Sequence, residues 1–390
     1  MKKLGLVTVT YVDNFGSHLQ SFALQQKLSK LGFPNEIINI NSAIQDIRKR
    51  RYSYVASRIF NFNEMSAYLP VLQRKLMLRL DNEYCKILSN RAQMFKNFAS
   101  TKYTIAEKVN GWSGLTKQCY DNYDAVIVGS DQNWRPANIA GGFYTLEFVP
   151  DEINKIAYST SFGIDHVIDA QKEKAKYFLG RINHLSVREE SGKRIVKKLL
   201  NRDIPVVCDP TLLHSARDWD TFVGEKPVVE GSYILCYFLG SNKEHWDFVK
   251  RLKEKTGLKI VGIPYGEQYI KGAASFMDKI PMDIGPFEFV KLIRNASYVC
   301  TDSFHGCAFA LVYNKNFFAF YKHAKKGGMS TNNRIDNMLG WAGISNRILT
   351  GKEEIEQWMV TALDYTEANR RIQDMRQSSL NYLTKALANK

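Results

Sequence analysis

Residues 4–40, LGLVTVTYVDNFGSHLQSFALQQKLSKLGFPNEIINI, decide the fold. The run LGLVTVTY is rich in β-branched residues and alternates like a strand, and the polar segment VDNFGS follows it. Apolar residues then recur at helical spacing from Leu19 to Leu31, and Gly32 stands where a C-cap glycine belongs. NEIINI reads as a second strand. Together they predict a βαβ unit and a parallel sheet.

The same alternation continues along the chain after a different kind of segment. Residues 44–109 are basic, rich in Tyr and Phe and helical in pattern, so we interpret them as a helical insertion. Short apolar runs that end in polar or small residues then resume: YDAVIVGSDQNW, KIAYSTSFG, HLSVREESGKRIVKKLL and IPVVCDPTLL. In open α/β sheets, ligands collect where the strands end at their carboxyl edge. The polar residues after these runs should therefore line one edge.

A second set of strands and helices begins at SYILCYFL and ends with SYVCT and a helix that opens at SFHG. We predict an α/β protein of two Rossmann-like domains that face each other across a cleft, with the insertion in the first. The predicted domains are residues 1–214 and 215–350, and the resemblance described below implies that the first binds an acceptor and the second a donor. Residues 351–390 form C-terminal helices that pack back on the body.

Composition narrows the class of protein. The chain has 390 residues, 45% of them hydrophobic, and a formal net charge of +15, which favours anionic partners. No zinc spacing, aromatic RNP pattern or basic recognition helix indicates nucleic acid. The six cysteines are scattered, without a CxxC pair, and fit reduced thiols in the cytoplasm. No apolar run is long enough to span a bilayer, and we expect no signal peptide.

Two basic stretches of the sequence allow two structural interpretations. IRKRRYSYVASRIF, from Ile47, and LQRKLMLRL, from Leu72, mix basic and apolar residues at nearly helical spacing. They can be solvated helix faces, or a surface that rests on anionic membrane lipid. The second reading would place the protein peripherally at the inner face of the membrane.

The segment TDSFHGCAF, from Thr301, is the strongest candidate site. Ser303 can cap the helix that follows the strand, and Gly306 lets backbone approach a ligand. The N–H groups and the dipole of that helix start favour an anion. His305 would lie beside this anion, where it can give or take a proton. A capped helix with a packed histidine is the structural alternative.

Three other strand ends carry candidate residues. Arg188, in SVREESG, either pairs with Glu189 or Glu190 on the surface or grips a carboxylate or phosphate in the cleft. VGSDQNW and VDNFGS offer acceptors, amides and a flat apolar face, a combination suited to sugars, or else they form plain turns. The predicted acceptor-binding residues are Asp13, Asn14, Gly16, Ser130, Asp131, Gln132 and Trp134.

Other chemistries lack their usual patterns. The seven histidines are dispersed, and no metal-ligand spacing is present. The first βα loop is not a GxGxxG fingerprint, and neither a P-loop nor a GxSxG elbow occurs. We therefore predict no metal and no dinucleotide or other cofactor.

Seven segments in order resemble the polysaccharide pyruvyl transferase family. They are VTYVDNFGSHLQSFALQQKLSKLGF, DAVIVGSDQNW, KIAYSTSFG, SVREESG, VVCDPTLL, GPFEFVKLIRNASYVCTDSFHG and NRIDNMLGWAGISNR, spanning residues 4–347. The resemblance implies a fold similar to GT-B glycosyltransferases and transfer of pyruvyl from phosphoenolpyruvate to a sugar as a ketal. It also implies catalytic and donor-binding roles for Arg188 and His305. His18, Cys307 and the insertion depart from the family pattern.

The residues are consistent with that chemistry. Phosphoenolpyruvate is a co-substrate with a carboxylate and a phosphate, so its site needs cations and N–H donors. The predicted donor-binding residues are Arg188, Ser303, Phe304, His305, Gly306 and Arg334. Arg334 adds a phosphate contact or forms a helix pair with Asp336. The expected acceptor is a glycan or lipid-linked oligosaccharide, as in capsule or exopolysaccharide synthesis. The alternatives are a nucleotide-sugar glycosyltransferase and a non-catalytic membrane-surface assembly protein.

Overall fold

The computed structural model describes residues 2–56, 81–264, 273–322 and 333–388. Its first unit is the predicted βαβ: strand β1 (Lys3–Val7), helix α1 (Phe15–Lys30) and strand β2 (Asn35–Ile37). The Asn14 side chain caps α1 by accepting the Ser17 N–H at 3.1 Å. Gly32, with φ of 84°, provides the left-handed residue after the helix end.

The first domain is a five-stranded parallel sheet in the order β2-β1-β3-β4-β5. Its other strands are β3 (Tyr123–Val128), β4 (Asn154–Thr160) and β5 (His184–Val187). A parallel bridge between Val187 and Val206 extends the edge beyond β5. The VVC run thus continues this sheet, as its apolar character predicts.

Helices cover both faces of this sheet, and the described part of the insertion is mostly helical, although near its end Ile105 forms a parallel bridge with Ile37 of β2. The helices are α2 (Ile44–Ala56), α3 (Asn82–Lys102), α4 (Gly111–Asn122), α5 (Pro136–Gly141), α6 (Lys172–Gly180) and α7 (Glu190–Leu200). Within α2, Arg50 pairs with Glu147 at 2.7 Å and stacks over Trp112, and Arg51 bonds Asn138. These two cations therefore face the protein. The second basic stretch, residues 72–80, and the end of the first lie outside the described residues.

Helix α8 (Ala216–Val223) leads to a second five-stranded parallel sheet, in the order β10-β9-β8-β6-β7. Its elements are β6 (Tyr233–Tyr237), α9 (Lys243–Thr256), β7 (Lys259–Gly262), α10 (Pro286–Asn295), β8 (Tyr298–Thr301), α11 (Phe304–Val312), β9 (Asn316–Phe320), α12 (Asn333–Ala342) and β10 (Ile348–Leu349). In each sheet the first strand in the sequence lies between the second and the third: β1 lies between β2 and β3, and β6 lies between β7 and β8. The prediction of two Rossmann-like domains is confirmed.

The last two helices lie on different domains. Helix α13 (Gln357–Val360) packs on the second domain, where the Tyr298 hydroxyl donates to the Val360 carbonyl at 3.2 Å, and α14 (Thr366–Ala388) runs along the first sheet. In α14, the Ser379 hydroxyl accepts the Cys208 N–H at 2.9 Å, and Tyr382 donates to the Ala157 carbonyl at 3.0 Å. The exact domain limits stay a prediction. Within the described ranges, no helix combines the length and apolar character needed to cross a lipid bilayer.

The shared strand order decides where a ligand can lie. In such sheets a crevice opens where the strand order reverses, outside the carboxyl ends of the first and third strands. In the first domain these are the ends of β1 and β3, and in the second they are the ends of β6 and β8. A continuous hydrophobic cluster joins the domains, and in it Phe15 stacks on Phe289 with centroids 4.8 Å apart. The two crevices therefore face each other.

Candidate active site

The turn after β8 is built to present a histidine. The Thr301 hydroxyl donates to the Tyr237 carbonyl at 2.6 Å, which ties β8 to β6 at their carboxyl ends. Ser303 caps α11 and accepts the Gly306 N–H at 3.4 Å. A Cβ at Gly306 would lie 2.5 Å from the Thr301 Oγ1, so this close packing needs glycine. His305 then follows in the first turn of the helix.

His305 meets the first domain directly. It is 7% exposed, and a Cβ at Gly16 would lie 1.9 Å from its Nδ1, so the imidazole rests on the bare backbone at the start of α1. Its Nε2 lies 3.6 Å from the Asp209 Oδ2, and this atom makes no hydrogen bond within the described part of the chain. The imidazole is therefore placed by packing and by attraction to Asp209.

Asp209 is the centre of a buried polar network. Its Oδ2 accepts from the Ser130 hydroxyl at 2.7 Å and from Arg188 Nη1 at 3.0 Å. Its Oδ1 accepts from the Thr211 N–H at 3.0 Å and the Thr211 hydroxyl at 2.8 Å. Burial alone would raise the pKa of this carboxyl, but His305 and Arg188 together hold the pKa below its usual value. Asp209 is ionised at neutral pH.

Arg188 leaves one edge of its guanidinium open. Its Nη1 donates to Asp209 at 3.0 Å and to the Ser130 hydroxyl at 3.3 Å. The guanidinium also lies 4.4 Å from the centroid of the Phe304 ring, which belongs to the other domain. Nε and Nη2 find no hydrogen-bond acceptor among the residues that the structure describes. Burial disfavours the charge, but Asp209, Glu189 and Asp131 raise the pKa of Arg188 above its usual value. A charged guanidinium, with two nitrogens unpaired in the described part of the chain, is therefore buried where Phe304 of the second domain contacts the first domain.

Of the two alternatives for Arg188, the ion pair on the surface is contradicted, because the pair that forms with Glu189 is buried. Glu189 Oε2 lies 3.6 Å from Arg188 Nε, and both side chains are 2% exposed. The other carboxylate oxygen of Glu189 accepts from the Ser161 hydroxyl. Asp209 therefore takes one Nη1 hydrogen bond of Arg188, and Glu189 attracts the guanidinium without a hydrogen bond to it, so Nε and Nη2 stay unpaired among the described residues.

A second arginine lies close to the first. With its carboxamide oxygen turned toward Arg334, Gln132 accepts hydrogen bonds from Arg334 at 2.6 and 2.8 Å. Burial and repulsion from Arg188 lower the pKa of Arg334 to about 10. Asp336, the alternative helix partner, accepts from the Tyr321 hydroxyl at 2.6 Å. Two like charges held in one buried region attract an anion between them.

Asp131 borders the same region in a strained backbone. Its φ is 82°, in the left-handed region that Asp seldom adopts. The pairing of its carbonyl with the Ser161 N–H at 2.9 Å holds it there. Its carboxylate accepts from the Ser17 hydroxyl at 2.5 Å and the Gln132 N–H at 2.8 Å. Burial opposes ionisation, but Arg188, His305 and these donors lower the pKa of Asp131 below its usual value.

Other predicted acceptor residues lie elsewhere. Trp134 is fully buried, its indole N–H donates to the Tyr144 carbonyl at 3.1 Å, and its ring packs on Phe162 and Phe178. No face of this ring is open to a sugar, so we remove it from the acceptor-binding set. Asp13 is exposed at the first βα loop, and Asn14 serves as the cap of α1.

Sequence reasoning missed Asp209 and Ser17 as site residues. Asp209 follows the apolar VVC run, and polar residues after that run were expected at the edge, so the signal was present. Ser17 lies in the first turn of α1, directly after Gly16. Neither residue type is distinctive by itself. Asp209 belongs to the site because it pairs with Arg188, and Ser17 because it donates to Asp131.

Solved structures with a similar arrangement span nearly the whole chain at low identity. UDP-GlcNAc 2-epimerase from Neisseria meningitidis matches with a TM-score of 0.47 and 12% identity over 99% of this chain and 100% of its own. The glycosyltransferase SnogD from Streptomyces nogalater matches with a TM-score of 0.42 and 12% identity over 98% and 96%. We transfer no reaction or substrate from these similarities. No curated protein matches the sequence significantly.

The family model of polysaccharide pyruvyl transferase matches residues 14–323. That range contains the helix start at Gly16, the arginine and aspartate of the first domain and His305. The chain therefore belongs to the polysaccharide pyruvyl transferase family.

Proposed function

We propose that the protein transfers the pyruvyl group of phosphoenolpyruvate to a sugar of a polysaccharide or its lipid-linked precursor, as a ketal. The observation that supports this most is the open edge of Arg188, whose Nε and Nη2 lack acceptors in the described part of the chain. A guanidinium edge binds a carboxylate or phosphate through two parallel hydrogen bonds. With Arg334 beside it, the site offers two cations to a small molecule that carries two anionic groups.

His305 is the proposed general acid. Ketal formation begins with the transfer of a proton to the methylene carbon of phosphoenolpyruvate, which makes C2, the carbon that bears the phosphate ester oxygen, electron-poor. The imidazole lies beside Arg188 through their shared partner Asp209, so an anion held by the arginine is within its reach. A positioned acid of this kind contributes about 10²–10⁴ in rate.

The remaining steps balance without another reactant. One sugar hydroxyl adds to the electron-poor carbon and gives up its proton, the bond to phosphate breaks, and phosphate leaves. A second hydroxyl of the sugar then adds to the same carbon and closes the ketal. One hydroxyl proton regenerates the acid, and the other leaves with phosphate.

Asp131 is the better of the two proposed acceptor-side acids. It is ionised, and it interacts electrostatically with both Arg188 and His305, whereas Asp13 is exposed in the preceding loop. We infer that Asp131 orients or deprotonates an acceptor hydroxyl. Ser17, which donates to Asp131 at 2.5 Å, would hold that carboxylate in place.

The test is binding and product mass. We expect phosphoenolpyruvate to raise the melting temperature, with no comparable effect from UDP- or GDP-sugars. Incubation with phosphoenolpyruvate and a panel of lipid-linked or nitrophenyl glycosides should give a glycan with the added mass of a pyruvyl ketal. Stabilisation by a nucleotide sugar, with glycosyl transfer and no pyruvyl product, would instead establish the glycosyltransferase alternative.

Membrane attachment stays a separate proposal. A lipid-linked acceptor would bring this protein to the inner face of the cytoplasmic membrane, and the exposed Arg48 and Lys49 of α2 can contribute to such a surface. Sedimentation with acidic vesicles at low and high salt tests it, because electrostatic attachment weakens as salt rises. Binding that is absent at low salt would contradict attachment.

A further inference from the structure

Arg91 is a buried cation that the proposed reaction does not use. It lies on α3, in the insertion, and is 3% exposed. Its Nη1 donates to the carbonyl of Pro264 in the second domain at 2.6 Å, and its guanidinium stacks over the Phe15 ring at 5.4 Å. One arginine thus touches the start of α1 and the loop that follows β7.

Most of the hydrogen-bonding capacity of Arg91 is unmet. Its Nε and Nη2 are buried and find no hydrogen-bond acceptor among the described residues. Burial lowers the pKa of Arg91, against weaker opposing effects of Tyr237, Tyr84 and Asp13. A buried charge without a partner is costly, and an anionic ligand removes that cost.

The position of Arg91 relates it to the candidate active site. It stacks on Phe15, and the next residue of α1, Gly16, supports the imidazole of His305. Arg91 and His305 therefore contact consecutive residues in the first turn of one helix. A ligand that spans the start of α1 can therefore place an anion at Arg91 and a reacting group at His305.

We propose that Arg91 binds a phosphate or diphosphate attached to the acceptor sugar, so that the acceptor is a glycosyl diphosphate. This identification of the anion rests on the proposed function. The donor's two anionic groups are already matched by Arg188 and Arg334, and Arg91 supplies a third, separate cation on the side where the first βα loop lies. The insertion would then add recognition of the acceptor's anionic group to the two-domain core.

Calorimetric titration with inorganic diphosphate tests the site without any turnover. In an Arg188→Ala background, which weakens the donor site, we expect diphosphate binding to persist. Adding Arg91→Gln should weaken that binding at least tenfold. Asn90→Ala is the matched control, because the Asn90 amide donates to Asp283 across the same contact at 2.9 Å and carries no charge. Binding that vanishes with Arg188→Ala alone, or that ignores Arg91→Gln, overturns the proposal.

If Arg91→Gln does not fold, Arg91→Lys carries the test. Lysine keeps the charge but lacks the planar fork, so we expect roughly tenfold weaker diphosphate binding. An unchanged Kd would contradict the proposal. Comparing uridine diphosphate with farnesyl diphosphate in the same titrations distinguishes a nucleotide-linked from a lipid-linked acceptor.

Kinetics separate this site from the donor site. With a glycosyl diphosphate acceptor, Arg91→Gln should raise the acceptor KM more than tenfold and leave the KM of phosphoenolpyruvate within about twofold. When the same sugar is supplied as a neutral alkyl glycoside, Arg91→Gln should change the acceptor KM little. Equal loss on both acceptors, or a raised KM for phosphoenolpyruvate, contradicts the proposal. Absence of pyruvyl transfer by the wild type would instead overturn the proposed function, with the titration still valid.

Discussion

The two domains share a strand order but contribute different chemistry to the gap between them. The first domain supplies the charged groups Asp131, Arg188 and Asp209, which follow three separate runs of the same sheet. The second domain supplies His305 and the Phe304 ring at one helix start, and the cation Arg334 on α12. Its acid at the equivalent edge, Asp302, accepts from the Leu239 and Gly240 N–H groups at 2.6 and 2.8 Å.

The difference shows that a shared fold does not assign roles. Asp302 holds its own domain's loop, whereas Asp209 holds an arginine and attracts the histidine of the other domain. The first domain thus builds a network of charged groups, and the second places an imidazole, our proposed general acid, against it. Activity should depend on the contacts that join the two.

The largest expected effect is loss of the two central side chains. His305→Ala and Arg188→Ala should each reduce phosphate release from phosphoenolpyruvate, in the presence of acceptor, by about 10²–10⁴. His305→Ala should act mainly on kcat, because it removes the acid. Arg188→Ala should also raise the KM of phosphoenolpyruvate, because it removes an anion-binding fork. Near-normal turnover in either variant would show that its residue has been misassigned.

Gly16→Ala should come next, since it breaks the contact between the domains. The added Cβ would lie 1.9 Å from the His305 Nδ1, so the imidazole or the start of α1 must move. We expect about a hundredfold loss of activity, as for a catalytic group displaced by about an ångström. Gly180→Ala is the matched control, because a Cβ there meets nothing within 4 Å. Equal activity in the two variants would mean that activity does not depend on the packing of the His305 imidazole against the Gly16 backbone.

The fold could be predicted because alternation and apolar spacing are local signals. The βαβ unit from residue 4 is present, but β1 ends at Val7 rather than at Tyr11. There Thr8 turns its hydroxyl to Ser21 in α1, at 2.6 Å. Such a tertiary hydrogen bond cannot be read from the β-branched run itself.

The site could be predicted only in part, for a related reason. Arg188 and His305 both follow strands, and parallel strands bring their carboxyl ends to one edge. Whether a side chain after a strand turns into the gap or into the core depends on the next few backbone angles. Trp134 follows the left-handed Asp131 and turns into the core, against expectation. The pairing of Asp209 with Arg188 likewise depends on the bridge between Val187 and Val206.

Asp209→Asn should have a smaller effect than loss of Arg188 or His305. The amide keeps the shape and one acceptor, but the attraction that places the imidazole and part of the neutralisation of Arg188 are lost. We expect kcat to fall about ten- to a hundredfold, with a changed pH profile, because the charge beside the proposed acid has changed. Thr211→Val is the control, since it removes a hydroxyl donor to Asp209 and keeps the charge. Similar losses in both variants would assign the effect to the network and not to the charge.

Asp302 should affect stability more than the chemical step, and its effect should be the smallest. Burial raises the pKa of Asp302 to about 6, so its protonated form is favoured in the folded protein. Its contribution to stability is therefore present below the unfolded pKa and is lost as the pH rises through about 6. Between about pH 5 and about pH 7.5 this loss should be about 1 kcal/mol in the free energy of unfolding. Urea unfolding of the wild type and Asp302→Asn measures it, and the variant should lack this component. An equal pH dependence in both proteins would mean that the two N–H donors offset the cost of burying the charge, and that the second domain holds its acid ionised as the first domain does.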